Sequence, residues 1–197
     1  MTFQHPLPLS TRQVPADLQQ YCELANSAAW QDSKDRITCI STSHALFHFL
    51  HERGYPHAQL VRIELAVTTQ NRDNGSVLVG GERGGRAAPD MWAGHLAVQV
   101  DGYLLDPIID QVNDGLRNVT PMAPLVVPVP TWWESNQAAF YIDADNTMIR
   151  YVKTYRQNGW KSKPDSRPSS WSPVLQNMLR QAGAEPSPAQ NTDAAAA

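Results

Sequence analysis

A chain of 197 residues with a net charge of −3 is the size of one domain and long enough to bury a core without disulfides or metals. Its lysines and arginines are scattered, so it carries no electrostatic footprint for nucleic acid or an anionic membrane. No apolar run reaches the ~18 residues of a membrane-spanning helix.

Two cysteines, Cys22 and Cys39, cannot make a disulfide framework, although one bridge between them is a plain rival to any chemical role for either. The start, Met1-Thr-Phe-Gln-His-Pro-Leu-Pro-Leu, lacks the basic and long apolar regions of a signal peptide, and cytoplasmic residence is the expectation.

Residues 1–14 carry little periodicity and read as an extended arm. From Pro15 the apolar positions Leu18, Tyr21, Cys22, Ala25, Ala28 and Ala29 recur in steps of three and four, which predicts a helix with proline at its start and Cys22 on the packed stripe. The polar stretch Trp30 to Asp35 connects to a second predicted helix, beginning at Cys39 and stopped by Gly54. Thr38, or the cluster Ser41, Thr42 and Ser43, is expected to supply N-cap oxygens. In that first turn the unpaired N–H groups and the helix dipole favour thiolate, one route to a nucleophilic cysteine.

Placed at 100° intervals, Cys39 shares its stripe with Leu46 and Leu50, while His44, His48 and His51 fall on the opposite side near Glu52. The histidine spacing suits a metal, but zinc sites add a carboxylate or thiolate from elsewhere and Glu52 is a poor candidate. A polar helix face is the simpler reading, and no metal or cofactor is expected. Asn26 and Gln31, just upstream of the cysteine, are candidate oxyanion donors, or merely polar loop side chains.

After Gly54 the period changes to two. Val61, Ile63, Leu65 and Val67 alternate with Arg62, Glu64 and Ala66 in a strand with one buried face. A short apolar run, Val77-Leu-Val79, precedes the glycine-rich Gly80 to Arg86, which lacks the spacing and following helix of a phosphate-binding loop. It reads either as a plain loop or as a flap with Trp92 at its base covering substrate. His95-Leu-Ala-Val-Gln-Val100 alternates again, Asp101-Gly102 is a strong two-residue hairpin signal, and Tyr103-Leu-Leu-Asp106 returns antiparallel. Val100 then faces Tyr103, Val98 faces Leu105, and Ala97 faces Asp106. Directly paired residues share a face, so Asp106 lies on the face of His95, diagonally displaced and within side-chain reach. Taken singly, His95 also reads as an ordinary strand histidine and Asp106-Pro107 as a strand-ending turn.

A helix-borne cysteine, a strand-borne histidine and an acid on the adjacent strand are the parts of a thiol triad. In that order, Cys39-Ile-Ser-Thr-Ser-His-Ala-Leu-Phe-His-Phe-Leu-His-Glu-Arg-Gly-Tyr55 and Gly94-His95 through Asp106-Pro107 resemble the transglutaminase-like superfamily, over about residues 35–111. Ile108 stands where threonine is usual, Leu96-Ala97 replaces a small-aromatic pair, and Thr38 rather than tryptophan precedes the cysteine.

The resemblance implies an α+β, papain-like fold, with N-terminal helices and the catalytic cysteine at a helix start packed on an antiparallel sheet. It also implies a thioester mechanism on a carboxamide, peptide or protein substrate, with Cys39 as nucleophile, His95 as base and Asp106 as its orienter. Hydrolysis, commoner among small bacterial members, and transfer to an amine both remain open, as does a non-enzymatic interaction domain with an inert cysteine. Gln111 either lines the cleft or is surface.

Beyond the hairpin, Pro107 to Pro124 reads as loop and Leu125 to Val129 as an edge strand, where proline is tolerated. Trp132-Trp133 walls a groove or fills core, with core the simpler reading. Phe140-Tyr-Ile142 and Met148 to Val152 form a second hairpin. Asn158 to Pro173 is expected to drape over the surface before a short helix containing Val174, Leu175, Met178 and Leu179. The single domain is then 15–182, and residues 183–197 form a disordered tail too poor in apolar content to fold.

Overall fold

The computed structural model describes residues 13–32, 39–69, 76–79, 94–109, 123–134, 139–144, 147–153 and 159–184. In chain order the elements are α1 (Ala16–Asp32), α2 (Cys39–Glu52), β1 (Gln59–Thr69), β2 (Ser76–Val79), β3 (His95–Val100), β4 (Tyr103–Asp106), β5 (Leu125–Pro128), β6 (Ala139–Ala144), β7 (Thr147–Lys153) and α3 (Pro168–Ala184). The strands form one curled antiparallel sheet in the order β5-β4-β3-β1-β7-β6. Along one edge β1 pairs first with β3, Gln59 to Ile63, and then with β2, Leu65 to Thr68. The class is α+β, as the sequence predicts.

The period-two pattern sorts the sheet into two faces, because directly opposed residues point the same way. Val61, Ile63, Leu65 and Val67 share one face with His95, Ala97, Gln99, Leu104, Asp106, Val127, Ile149 and Tyr151. Trp133 is fully buried in the apolar cluster on that face, while Trp132 is exposed. The tryptophan pair is therefore half core. Val98, Val100, Tyr103, Leu105 and Val126 point the other way, into a core built with Leu18, Cys22 and Ala25 of α1, Leu46, Phe49 and Leu50 of α2, and Val174 and Met178 of α3. As expected, β5 is an edge strand, and Pro128 is its last residue.

Three expectations change. Ser41, Thr42 and Ser43 are buried inside α2 rather than capping it. Helix α3 starts at Pro168 and encloses Pro173, so part of the stretch expected to drape over the surface is helical. Proline at the first helical position forfeits an N–H that is unpaired there anyway. The hydrogen bond lost at Pro173 is offset by packing of Trp171, Val174 and Met178 in the helical core. The same helix runs to Ala184, past the expected boundary at 182.

The arm up to residue 12, Thr38, the stretch Gly80 to Arg86 and the tail beyond 184 lie outside the described residues. No helix among the described residues is long and apolar enough to cross a membrane.

Gly54 ends α2 as predicted. Its φ is +87°, and the Gly54 N–H donates to His51 O while the Tyr55 N–H donates to Leu50 O, the paired closure that a glycine in the left-handed region permits. The other end of α2 is fixed by a side chain: the buried Ser43 hydroxyl donates to Leu96 O at 2.8 Å. Ser43→Ala leaves that carbonyl without this donor and is expected to cost about 1–2 kcal/mol, measured as a lower urea midpoint at unchanged slope.

Candidate active site

The β3–β4 hairpin sets the site. Asp101 and Gly102 have φ of 49° and 80°, the positive pair that a two-residue turn matching the strand twist requires. The register follows as predicted, Val100 opposite Tyr103 and Val98 opposite Leu105. At the open end of the hairpin His95 Nε2 lies 2.8 Å from Asp106 Oδ1, the ring N–H donating, and both side chains are 1% exposed.

Cys39 opens α2 at the same end of the sheet and hydrogen-bonds to the His95 side chain. Burial opposes charge on His95, but the Asp106 carboxylate, through its charge and its hydrogen bond, and then the Cys39 side chain outweigh it and push the ring up to about 10. Cys39, His95 and Asp106 are thus brought together by α2, β3 and β4. No disulfide links Cys22 and Cys39, and both are buried.

The flanking candidates have other partners. Asn26 donates its amide to Pro107 O at 2.7 Å, gripping the backbone just past Asp106, and Gln31 is exposed and accepts from Gln181 of α3. Neither has a described contact with Cys39. Trp92 and Gln111 lie outside the described residues.

Cys22, one turn before Asn26, packs as expected. Its thiol donates to Leu125 O at 3.6 Å and it meets the Asp106 backbone; burial, followed by the Asp106 charge, pushes it well above the ordinary thiol value.

The histidine face of α2 is covered in part: His44 and His48 are half-buried, while His51 and Glu52 are exposed. Trp171 of α3 stacks on His48 at 4.2 Å and on His44 at 6.2 Å, and Trp160 lies 5.4 Å from His44. His51 reaches Ala58 O, and no metal-binding group of side chains occurs among the described residues. Burial, and then the neighbouring His48, lowers His44 to about 4.

An unfolded chain protonates this histidine near pH 6.5 and the fold resists doing so until about 4. Its contribution to stability is therefore present above pH 6.5 and drains away as pH falls toward 4. In urea titrations from pH 7.5 to 4, His44→Phe is expected to flatten this acid slope.

Three residues beside the site escape a reading of the sequence. Ser43 ties α2 to β3. Trp160, 9% exposed, shares a small buried cluster with Cys39, Ile40 and Leu96. The Tyr151 hydroxyl donates to Asp106 Oδ2 at 3.1 Å. Alternation along β7 marks Tyr151 as inward-facing, but the strand order that carries it to Asp106 leaves no local signal.

No family model matches the chain, and no curated protein or solved structure matches it either.

Proposed function

We propose that this chain is a cysteine hydrolase on a transglutaminase-like, papain-like fold, acting on a peptide bond or carboxamide through Cys39, His95 and Asp106. One observation carries the reading: a buried imidazole bonded to a carboxylate at 2.8 Å and to a cysteine at a helix start. That arrangement fixes the ring's orientation and supplies both a base and an acid at the sulfur.

In the proposed cycle His95 holds the proton given up by Cys39, and the thiolate attacks the carbonyl carbon. The carbonyl π electrons move to oxygen, which the first-turn N–H groups of α2 stabilise. Collapse expels the amine, which takes the proton from His95. Water then attacks the thioester, returns a proton to the ring and releases the acid. An amine in place of water would give acyl transfer. The expected substrates are proteins, peptides or small amides, and two cysteines without a disulfide between them fit a reducing cytoplasm.

The second reading, an inert interaction domain on the same fold, draws on exposures of 6%, 1% and 1% for Cys39, His95 and Asp106, since most buried cysteines are unreactive. Iodoacetamide alkylation followed by peptide mass spectrometry separates the two, with Cys22 as internal control. The enzyme reading expects Cys39 alone to react fast at pH 6–7, well below the unperturbed thiol value of ~8.5. Equal, slow labelling of both cysteines selects the inert domain.

A further inference from the structure

We infer that Tyr151 is a positioning residue of the site, holding the second oxygen of Asp106 so that the first stays aligned with His95; the inference rests on the Cys39-His95-Asp106 reading. Asp106 Oδ1 meets His95 Nε2 at 2.8 Å and Oδ2 accepts from the Tyr151 hydroxyl at 3.1 Å. A carboxylate bound at one oxygen can still swing about its last bond, whereas one bound at both cannot without breaking a hydrogen bond.

The contact is not a by-product of neighbouring strands. Between β4 and β7 lie β3 and β1, a flat-sheet separation of about 14 Å between strand axes, further than a tyrosine side chain reaches. The curl of the sheet brings the hydroxyl to the carboxylate over the shared face. Tyr151 is opposite Leu65 and fully buried among Ile63, Leu65, Ile149 and Trp133. Phenylalanine would fill such an apolar setting without burying a hydroxyl, which is tolerated only when hydrogen-bonded. Burial first, and then the Asp106 charge, push Tyr151 well above the ordinary phenol value, so it remains a donor throughout the working range.

The backbone beside the carboxylate is held as well. Asn26 bonds Pro107 O at 2.7 Å and Cys22 contacts the Asp106 backbone, and both side chains come from one face of α1. Helix α1 therefore sets the strand end while β7 sets the plane of the carboxylate. This makes docking of the β6–β7 hairpin part of the machinery: a one-residue slip of β7 against β1 would turn Tyr151 to the opposite face.

The test is a double-mutant cycle read by Cys39 alkylation with iodoacetamide at pH 6–7 in the full chain. Tyr151→Phe is expected to slow Cys39 about tenfold, with Cys22 unchanged, and to move the His95 ring N–H proton resonance. In the Asp106→Asn background, with no carboxylate left to align, the same substitution should change the rate less than twofold, because the hydroxyl acts through that group.

A tyrosine with a merely structural role lowers the melting temperature and leaves both the Cys39 rate and the His95 resonance in place, and that result overturns the inference. So does a tenfold effect that persists undiminished beside Asp106→Asn. If wild-type Cys39 labels no faster than Cys22, the functional reading itself fails and the inference with it, an outcome visible before any variant is made. Should Tyr151→Phe not fold, 3-fluorotyrosine placed at position 151 keeps the ring and makes the hydroxyl a stronger donor. A shifted His95 resonance then supports the inference and an unmoved one overturns it.

Discussion

With His95 replaced by alanine, alkylation of Cys39 at pH 6 is expected to fall roughly a hundredfold. The reactive form of a cysteine is the thiolate, and a thiol of ordinary pKa near 8.5 is only about 0.3% ionised at pH 6. In the native protein the ring is pushed up to about 10, so at pH 6 it carries its proton and offers a hydrogen-bonded cation to the sulfur. Removing the ring takes that charge away, and the field of the N-terminal turn of α2 is worth far less than a full charge in contact.

The comparison is internal to each sample. Cys22 is buried in the helical core, and its slow labelling should not change. A circular-dichroism spectrum and melting curve identical in shape to wild type show that the loss is chemical. A Cys39 rate within threefold of wild type in a folded His95→Ala protein would remove the imidazole from the mechanism.

How much of this was legible in the sequence depends on how local each determinant is. The His95-Asp106 pairing could be derived because one two-residue turn, Asp101-Gly102, fixes the register of the six residues before it and the four after it, and the face of each side chain follows from counting. Helix α2 was legible for a similar reason: its stripe and its Gly54 stop lie within fifteen residues.

Tyr151 was not legible, since its partner is reached across two intervening strands and neither the strand order nor the curl is written in any short segment. Nor was the cover over His44 and His48. Those histidines look like a polar face until Trp171, more than a hundred residues later, is placed on them. The Asn26 bond was not legible either: its amide donates to a strand-end carbonyl, a need that appears only when the backbone groups of the fold are counted.

The largest expected loss of stability comes from Asp106→Ala, about 3–5 kcal/mol, because it strips a buried cation of its partner. Both members of the pair are 1% exposed, so water cannot replace the carboxylate, and the Tyr151 hydroxyl loses its acceptor as well. The pH dependence carries the signature. His95 is raised above its unfolded value of ~6.5 to about 10, so its contribution is fully present below pH 6.5 and is lost as pH rises through 10.

In the alanine variant burial, the largest influence on the ring, is opposed only by the Cys39 side chain, so the charged form loses most of its support and that protein gains far less stability from the ring in acid. The gap between the two proteins should therefore be widest in acid and close as pH climbs from 6.5 toward 10. Urea midpoints measured from pH 5 to 10 test this directly. A gap that is constant with pH would mean that Asp106 contributes packing rather than charge. Asp106→Asn separates the terms further, since the amide keeps an acceptor for the ring N–H but no charge. Its stability should lie between the other two in acid and draw toward wild type as pH rises to 10, where about half of the rings have lost their charge and a neutral acceptor serves the neutral ring nearly as well.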